Sequence, residues 1–110
     1  MTVALPQPIA AFFQAKNDHD VDAVIACFTP NATVFDEGEN QKATGQDAIR
    51  KWMEGTIANY KLSTDVMKCA DGDGETVVTA LVTGDFPGSP ISFDYFFTLK
   101  DGKIDALRIN

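Results

Sequence analysis

Hydrophobic side chains recur at helical spacing through the first 28 residues of the chain. The spacing predicts a helix over residues 6–17, which Pro8 opens and whose apolar stripe faces the core: Ile9, Phe12 and Phe13. A second, short helix is predicted after Asp20, which is placed to cap it, and before Pro30, which ends it. Its apolar positions follow the same pattern: Val21, Val24, Ile25 and Phe28. The two helices are expected to form a hairpin.

A third helix is predicted after a short strand and a polar loop. Residues 32–36 are mostly β-branched or aromatic and end in Asp36, and residues 37–43 form a loop that contains glycine. Thr44, with Asp47 three residues later, resembles a capping box at the start of the helix. The helix then carries a mostly apolar stripe: Ile49, Trp52, Met53, Thr56, Ile57 and Tyr60. This stripe must cover an apolar surface.

After residue 60 the pattern changes to β-prone runs separated by turns rich in glycine and proline. The predicted strands are 61–70, 75–84, 91–100 and 103–109. Helices followed by consecutive strands indicate an α+β domain with the helices on one face of a curved antiparallel sheet, in the order α-α-β-α-β-β-β-β. Residues 77–82 and 93–97 are apolar on both faces. The outer face of the sheet is therefore expected to meet a second subunit in a homodimer.

Asp94 lies in the middle of the aromatic run 91–99, a setting in which aspartate is usually depleted. Alternation along this strand produces one wholly apolar face: Ile91, Phe93, Tyr95, Phe97 and Leu99. The other face carries Ser92, Asp94, Phe96 and Thr98. A small polar set beside an aromatic ring is what a ligand cavity requires, so this second face is interpreted as a cavity wall. The alternative is an exposed charge that prevents the strand from pairing with other chains.

Composition narrows the classes of protein to which the chain can belong. Its 110 residues fit one domain, 1–110, and 45% hydrophobic with 23% charged residues is ordinary for a globular protein without membrane spans. A formal net charge of −7 argues against nucleic acid or anionic lipid as a partner, because both bind through a positive field. The first eight residues lack the pattern of a signal peptide, so the protein is expected in the cytoplasm.

The cysteines and the histidine do not form a metal-binding pattern. Cys27 and Cys69 each have apolar neighbours, which favours two reduced core thiols over a disulfide. His19 is the only histidine and lies in a polar stretch, where a solvated loop residue is the simpler interpretation. Because no Cys/His cluster has zinc spacing, we expect no metal site. We also expect no requirement for an organic cofactor.

Four segments stand in a fixed order along the predicted elements: 18–28, 28–36, 45–52 and 99–104. Together with the order helix, helix, strand, helix and four antiparallel strands, they resemble the nuclear-transport-factor-2-like superfamily, and within it the SnoaL-like and ketosteroid-isomerase-like proteins. Segment 18–28 is similar to the second helix of the family, 45–52 to its third helix, and 99–104 to its last hairpin. The resemblance implies a cone in which a curved sheet wraps around helices and encloses one deep apolar pocket, commonly in a homodimer. Members isomerise steroids, close polyketide rings, open epoxides or only bind ligands, so the fold does not give the function.

The resemblance implies roles for two aspartates, and two tyrosines that the isomerases carry are replaced in this chain. Asp36 matches the proton-abstracting base at the end of the first strand of the isomerases. Asp94 matches the protonated acid that contributes to their oxyanion hole. Phe12 stands where those isomerases have the oxyanion tyrosine, and Met53 where they have its supporting tyrosine. Since one donor is absent, the chain resembles the SnoaL-like cyclases better, which use one acid/base aspartate in an aromatic pocket.

Aromatic residues supply the candidate substrate-binding set, which consists of Phe12, Trp52, Tyr60, Phe86 and Phe96. Trp52 and Tyr60 lie on the stripe of the third helix, where core packing and pocket lining are both consistent with the pattern. Tyr60 carries a hydroxyl that could replace the missing donor. Phe86 belongs to the loop 85–90, interpreted either as the rim of the cavity or as a rigid strand connection.

The sequence therefore predicts a pocket protein that binds a small hydrophobic molecule. The expected chemistry is an isomerase or cyclase reaction in which Asp36 and Asp94 move a proton next to a carbonyl group. For Asp36 the alternative is a turn residue before Glu37 that hydrogen-bonds its own backbone. For the whole protein the alternatives are a non-catalytic ligand-binding protein and a dimeric scaffold with a filled pocket.

Overall fold

Three helices pack against a curved, unclosed sheet of six strands in the computed structural model, which describes residues 4–72 and 74–110. The helices are α1 (Gln7–Asn17), α2 (Val21–Ile25) and α3 (Gln46–Tyr60). The strands are β1 (Phe28–Asp36), β2 (Gln41–Thr44), β3 (Ser63–Gly72), β4 (Glu75–Thr83), β5 (Ile91–Lys100) and β6 (Lys103–Ile109). The predicted α+β class and the predicted order of elements are confirmed, and β2 is an addition to them.

The strands lie in the order β2-β1-β6-β5-β4-β3. The four strands after α3 form the predicted antiparallel meander, β3 to β4 to β5 to β6. The strand β1 then pairs in parallel with β6, and β2 folds back antiparallel on β1. This arrangement places the end of β1 next to the end of β6, with Asp36 opposite Ile109.

The predicted end of the second helix is wrong. The helix α2 ends at Ile25, and Phe28 is the first residue of β1, where its side chain is fully buried. Pro30 lies inside β1 and does not terminate a helix; the β1–β6 register shifts between Phe28 and Thr33, where a residue without an N–H is tolerated. At the start of α2 the prediction is correct, because the Asp20 side chain accepts a hydrogen bond from the Ala23 amide at 3.1 Å.

The start of α3 also differs from the prediction. Thr44 belongs to β2 and pairs with Thr33, and the residue that precedes the helix is Gly45, at φ 85°. No side chain caps this helix, so the predicted capping box does not form. The strand β2 falls inside the predicted loop because its short, polar sequence has no alternation strong enough to indicate a strand; Ala43 alone of its four residues is buried.

An aromatic cluster under α1 forms the centre of the core. Phe12 packs edge-to-face against Phe28 at 5.8 Å between ring centroids and against Phe97 at 5.6 Å. Phe13 contacts Tyr95 in the same way at 5.1 Å. Such pairs add about 0.5–1.5 kcal/mol each beyond the area that they bury. The cluster fixes α1 against β5, and one turn further along α1 this contact ends at a cavity.

The remaining polar predictions concern Cys27, Cys69 and His19. Both thiols are free; Cys27 is buried as predicted, whereas Cys69 is half-buried on β3. His19 is exposed, and its Nε2 lies 3.1 Å from the carbonyl oxygen of Leu62. Within residues 4–72 and 74–110, none of the helices is long and apolar enough to cross a bilayer.

Gly84 connects the end of β4 to the end of α3, and its substitution tests this contact. A Cβ atom at Gly84 would lie 2.6 Å from the Tyr60 carbonyl oxygen, which already accepts a hydrogen bond from the Asp85 amide at 2.7 Å. We expect Gly84→Ala to lower the free energy of unfolding by about 1–3 kcal/mol, as overpacking does. Urea denaturation followed by circular dichroism measures this change.

Gly55→Ala is the matched control for Gly84→Ala. Gly55 lies inside α3, and a Cβ atom there would contact nothing within 4 Å. Alanine in a helix interior is favoured over glycine, so this variant is expected to gain about 0.5–1 kcal/mol. A Gly84→Ala protein as stable as wild type would show that the contact yields without strain.

Candidate functional site

A cavity of about 410 Å³ opens beside the aromatic core, between α3, the end of α1 and the inner face of the sheet. Most of its wall is apolar: Trp52, Leu62, Val82, Phe86, Pro87, Ile91, Phe93 and Ile109. A few polar side chains interrupt this wall: Lys16, Asp36, Glu39, Thr56, Tyr60 and Tyr95. Apolar walls with a few convergent polar groups are typical of sites for small organic molecules.

Asp36 reaches the cavity because it ends the inward-facing row of β1. Ala32 and Val34, which precede it in that row, are buried in the core. The carboxylate is held by Trp52 of α3, whose Nε1 donates to Oδ2 at 3.3 Å. A backbone N–H of Glu39 donates a second hydrogen bond to it. Strand and helix together therefore fix the carboxylate in place.

Burial is the main reason that the pKa of Asp36 is raised above its ordinary value. The hydrogen bonds from Trp52 and the Glu39 backbone oppose this rise, since they stabilise the ionised form. The negative charge of Glu39 adds to the rise, and the positive charge of Lys16 opposes it. The result is a carboxylate that binds a proton more strongly than an exposed aspartate does.

Lys16 is the most unusual group in the cavity wall, because its side chain is only 3% exposed. Its Nζ donates to Thr64 Oγ1 at 2.7 Å and lies 5.9 Å from the centre of the Tyr95 ring. Burial lowers the pKa of Lys16 to about 8, and the negative charge of Asp36 works against that decrease. The uncharged fraction of this amine near neutral pH is therefore larger than that of an exposed lysine.

Tyr95 completes a polar chain on the floor of the cavity. It lies on β5 opposite Ile109 of β6, and Ile109 in turn lies opposite Asp36 of β1. Since neighbouring strands are about 4.8 Å apart, Asp36 and Tyr95 flank Ile109 in one row across three strands. Burial raises the pKa of the Tyr95 phenol, the charge of Asp36 raises it further, and a hydrogen bond with the Thr64 side chain opposes both.

Tyr60 and Phe86 form the rim of the cavity. The Tyr60 hydroxyl donates to Glu39 Oε1 at 2.9 Å, and its ring packs edge-to-face against Phe86 at 6.3 Å. The hydrogen bond to Glu39, followed by that residue's charge, raises the pKa of Tyr60. The Tyr60 hydroxyl is therefore engaged with the loop between β1 and β2 and is not directed at Asp36.

Of the predicted site residues, the structure brings Asp36, Trp52, Tyr60 and Phe86 together in this cavity. The predicted pairing of Asp94 with Asp36 is wrong. Asp94 lies on the opposite face of β5, where its Oδ1 accepts a hydrogen bond from Thr79 Oγ1 at 2.8 Å. The apolar face of β5 is buried as predicted, but this face, and not the one that carries Asp94, also lines the cavity. It covers the core with Phe97 and lines the cavity with Ile91, Phe93 and Tyr95.

Phe12 and Phe96 also lie outside the cavity lining. Phe12 is fully buried in the aromatic core, between α1 and the sheet. Phe96 shares the outer face of β5 with Asp94, and the Arg108 guanidinium lies 4.0 Å from the centre of its ring. Their predicted contact with substrate in this cavity is therefore not supported.

Lys16 and Tyr95 were not predicted as site residues, although the sequence held a signal for each. Lys16 follows Phe12 by four residues and Phe13 by three, so it shares the inward face of α1. A lysine at the end of an apolar helix stripe ordinarily extends to solvent, which hides that signal. Alternation predicts Tyr95 on the buried face of β5, but it does not predict that a cavity adjoins this face.

Comparison with known proteins supports the resemblance noted in the sequence. A family whose description is SnoaL-like domain matches residues 9–107 of the chain. No curated protein matches the chain at a significant level.

Solved structures with the same fold include a candidate polyketide cyclase and an epoxide hydrolase/cyclase-like enzyme. A candidate polyketide cyclase from Sinorhizobium meliloti is 34% identical, with a TM-score of 0.90 over 96% of this chain and 95% of that one. The epoxide hydrolase/cyclase-like enzyme SalBIII, of pyran ring formation in salinomycin, is 25% identical, with a TM-score of 0.80 over 94% and 86%. A protein of ketosteroid-isomerase-like fold from Catenulispora acidiphila, solved with trimethylamine, is 17% identical, with a TM-score of 0.86 over 97% and 86%; it supports the fold alone.

The variant Lys16→Met tests the electrostatic cost of the buried amine. Folding lowers the pKa of Lys16 to about 8, so between that pH and about 10 the unfolded chain binds one proton more than the folded chain. Lys16 therefore lowers the free energy of unfolding at neutral pH, and this loss fades as the pH rises through that window. Methionine removes the charge at similar volume, and we expect a gain of about 1–3 kcal/mol at pH 7.

Urea denaturation of wild type and Lys16→Met from pH 7 to pH 10 measures this effect, and the gain should shrink as the pH rises. Lys51→Met, at an exposed position of α3, is the control and should show no such change with pH. A Lys16→Met protein less stable than wild type at pH 7 would contradict the argument.

Proposed function

The chain belongs to the SnoaL-like domain family, and from that premise we propose that it is an isomerase or cyclase that transfers a proton next to a carbonyl group. Its substrate is a small hydrophobic molecule that binds in the cavity between α3 and the sheet. Asp36 is the base. The observation that carries this proposal is the position of the Asp36 carboxylate inside an apolar wall, fixed by Trp52.

Removal of a proton next to a carbonyl is more effective with a base that is stronger than an exposed aspartate. Burial provides this strength, because it raises the pKa of Asp36 toward the pH at which the enzyme works. The hydrogen bond from Trp52 holds the carboxylate in one orientation at the same time. A positioned base of this kind contributes about 10²–10⁴-fold to a rate.

Proton removal places negative charge on the carbonyl oxygen, and a nearby positive group stabilises that charge. Phe12 offers no donor, but Lys16 lies one turn further along α1 and lines the cavity that contains Asp36. The position of Lys16 in the same cavity wall as Asp36 supports the proposal that the cationic form of Lys16 faces the reacting group. SalBIII and the candidate cyclase from Sinorhizobium meliloti provide independent support for ring-forming chemistry on this fold.

Asp36→Asn and Asp94→Asn form a matched pair that tests the proposed base. We propose to incubate small cyclic and aromatic ketones, including 2-tetralone, with the protein in D₂O and to follow the loss of α-proton signals by NMR. Asparagine retains an oxygen that accepts the Trp52 hydrogen bond but cannot take a proton. We expect Asp36→Asn to lower the exchange rate by at least about 100-fold and Asp94→Asn, on the other face of β5, to change it less than about twofold.

The dependence of the exchange rate on pH is a second readout of the same base. Because Asp36 must be ionised, the wild-type rate should fall as the pH falls through a pKa above that of an ordinary aspartate. Binding of ketones without exchange above the buffer rate, in wild type and Asp36→Asn alike, would refute catalysis and indicate a ligand-binding protein.

We also propose that the chain forms a homodimer through the outer face of the sheet. This face carries half-buried apolar side chains on three strands: Phe35, Val77, Leu81 and Phe96. An apolar face of this kind is typical of an interface between subunits.

A glutamate at position 96 would place a charge in the middle of the proposed interface. We expect wild type to be a dimer and Phe96→Glu a monomer in light scattering after gel filtration. Lys51→Glu, on the exposed surface of α3, should remain a dimer. A monomeric wild type would refute this assembly.

A further inference from the structure

Lys16 is buried without a carboxylate partner. Among residues 4–72 and 74–110, the ion pairs are Arg50–Asp22 at 2.7 Å and Arg108–Glu37 at 3.4 Å, and neither includes Lys16. Within these described residues, the hydrogen bond of its Nζ goes to a hydroxyl, Thr64 Oγ1. A buried amine that is not paired lowers stability, so its position inside a ligand-sized cavity calls for a chemical role.

We propose that Lys16 is a covalent anchor for a carbonyl compound: its Nζ forms an imine with a hydrophobic aldehyde or ketone bound in the cavity. The wall around it selects the class of ligand. Trp52, Phe86 and Phe93 present aromatic surface, and Leu62 and Ile91 present aliphatic surface. A molecule that fits is therefore apolar around its carbonyl group.

The reaction balances without an added cofactor. The lone pair of the neutral Nζ forms a bond to the carbonyl carbon, the π electrons of the carbonyl move to oxygen, and one N–H proton transfers to that oxygen. The resulting carbinolamine then loses its hydroxyl group as water, while the electrons of nitrogen form the C=N bond. The Asp36 carboxylate, in the same cavity, is placed to accept the remaining N–H proton and to pass it to the departing hydroxyl. One amine and one carbonyl compound thus become one neutral imine and one water, and Asp36 ends ionised as it began.

The environment of Lys16 favours the nucleophilic form of its amine. With a pKa of about 8, roughly a quarter of the Lys16 side chains are uncharged at pH 7.5, compared with about 0.1% for an ordinary lysine. Thr64 holds Nζ at 2.7 Å, and the Tyr95 ring lies 5.9 Å away, so the amine has a defined position. Desolvation in a hydrophobic pocket is a recognised way of activating a lysine for this chemistry.

The anchor depends on the Lys16 amine as nucleophile, whereas the proposed function depends on the Asp36 carboxylate as base, and the two are compatible. A protonated imine withdraws electrons from the adjacent carbon more strongly than the free carbonyl does, and it needs no oxyanion donor at Phe12. Imine formation can also serve binding alone. Trapping the imine and measuring proton exchange therefore test different residues.

The test is reductive trapping on the intact protein. Wild type is incubated briefly at pH 7.5 with a limiting amount of benzaldehyde and with sodium cyanoborohydride, which reduces an imine to a stable benzylamine. Peptide mapping by mass spectrometry then locates each added benzyl group. We expect Lys16 to be labelled at least tenfold faster than any other lysine side chain, with the N-terminal amine, whose pKa is also near 8, as the internal reference.

Three variants make the result specific. Lys16→Arg retains a cation but has no primary amine, and it should lose the fast label. Lys100→Arg, at the exposed end of β5, should retain it. In Asp36→Asn the pH at which labelling of Lys16 is half-maximal should fall, because the Asp36 carboxylate raises the pKa of this amine.

The outcomes separate the two proposals. Labelling of Lys16 at the rate of the exposed lysines, or no labelling in protein that circular dichroism shows to be folded, overturns the anchor. Fast labelling of Lys16 without ketone exchange supports the anchor and refutes the role of Asp36 as a base. Ketone exchange without fast labelling of Lys16 overturns the anchor and supports the role of Asp36 as a base.

Discussion

The parallel pairing of β1 with β6 is the constraint on which the candidate site depends. It joins the first half of the chain to the last strand of the meander and sets Val34 opposite Leu107 and Asp36 opposite Ile109. The inner side of this pair is sealed core until its final residues. Since β1 ends at that point, its last inward-facing side chain projects into the cavity instead of the core. A shift of one residue would turn Asp36 to the outer face, where Phe35 now lies beside Lys42.

Within the cavity, burial acts in opposite directions on an acid and an amine. It disfavours both charged forms, so the pKa of Asp36 rises and the pKa of Lys16 falls. Their mutual attraction works against both shifts without bringing the two groups into an ion pair. Each pKa is thereby moved toward neutral pH, and a group whose pKa lies near the ambient pH is the one suited to exchange protons with a ligand. Such an arrangement lowers stability, and it persists where function requires it.

The sequence predicted the parts of the fold that depend on strong local patterns. The meander strands, the stripe of α3 and the Asp20 cap are correct because alternation, helical spacing and a capping carboxylate act within a few residues. The register of β1 beside β6 and the short strand β2 depend on contacts between distant segments, which local patterns do not encode. The same limit explains Asp94: alternation correctly separated the two faces of β5, but which face meets the cavity is decided by α3, a helix more than thirty residues earlier in the chain.

Lys16 shows how packing along one helix determines which of its side chains reaches the cavity. Phe12 removes the hydroxyl expected at that position, and the space near it is filled by the aromatic core that includes Phe28 and Phe97. A polar group on the same face of α1 can then enter the cavity only one turn later, beyond the core, and that residue is Lys16. The core and the amine are thus linked, because packing around Phe12 closes the earlier turn and leaves the last turn of α1 to face the cavity. This geometry explains why an apolar stripe ends in a lysine that does not reach solvent.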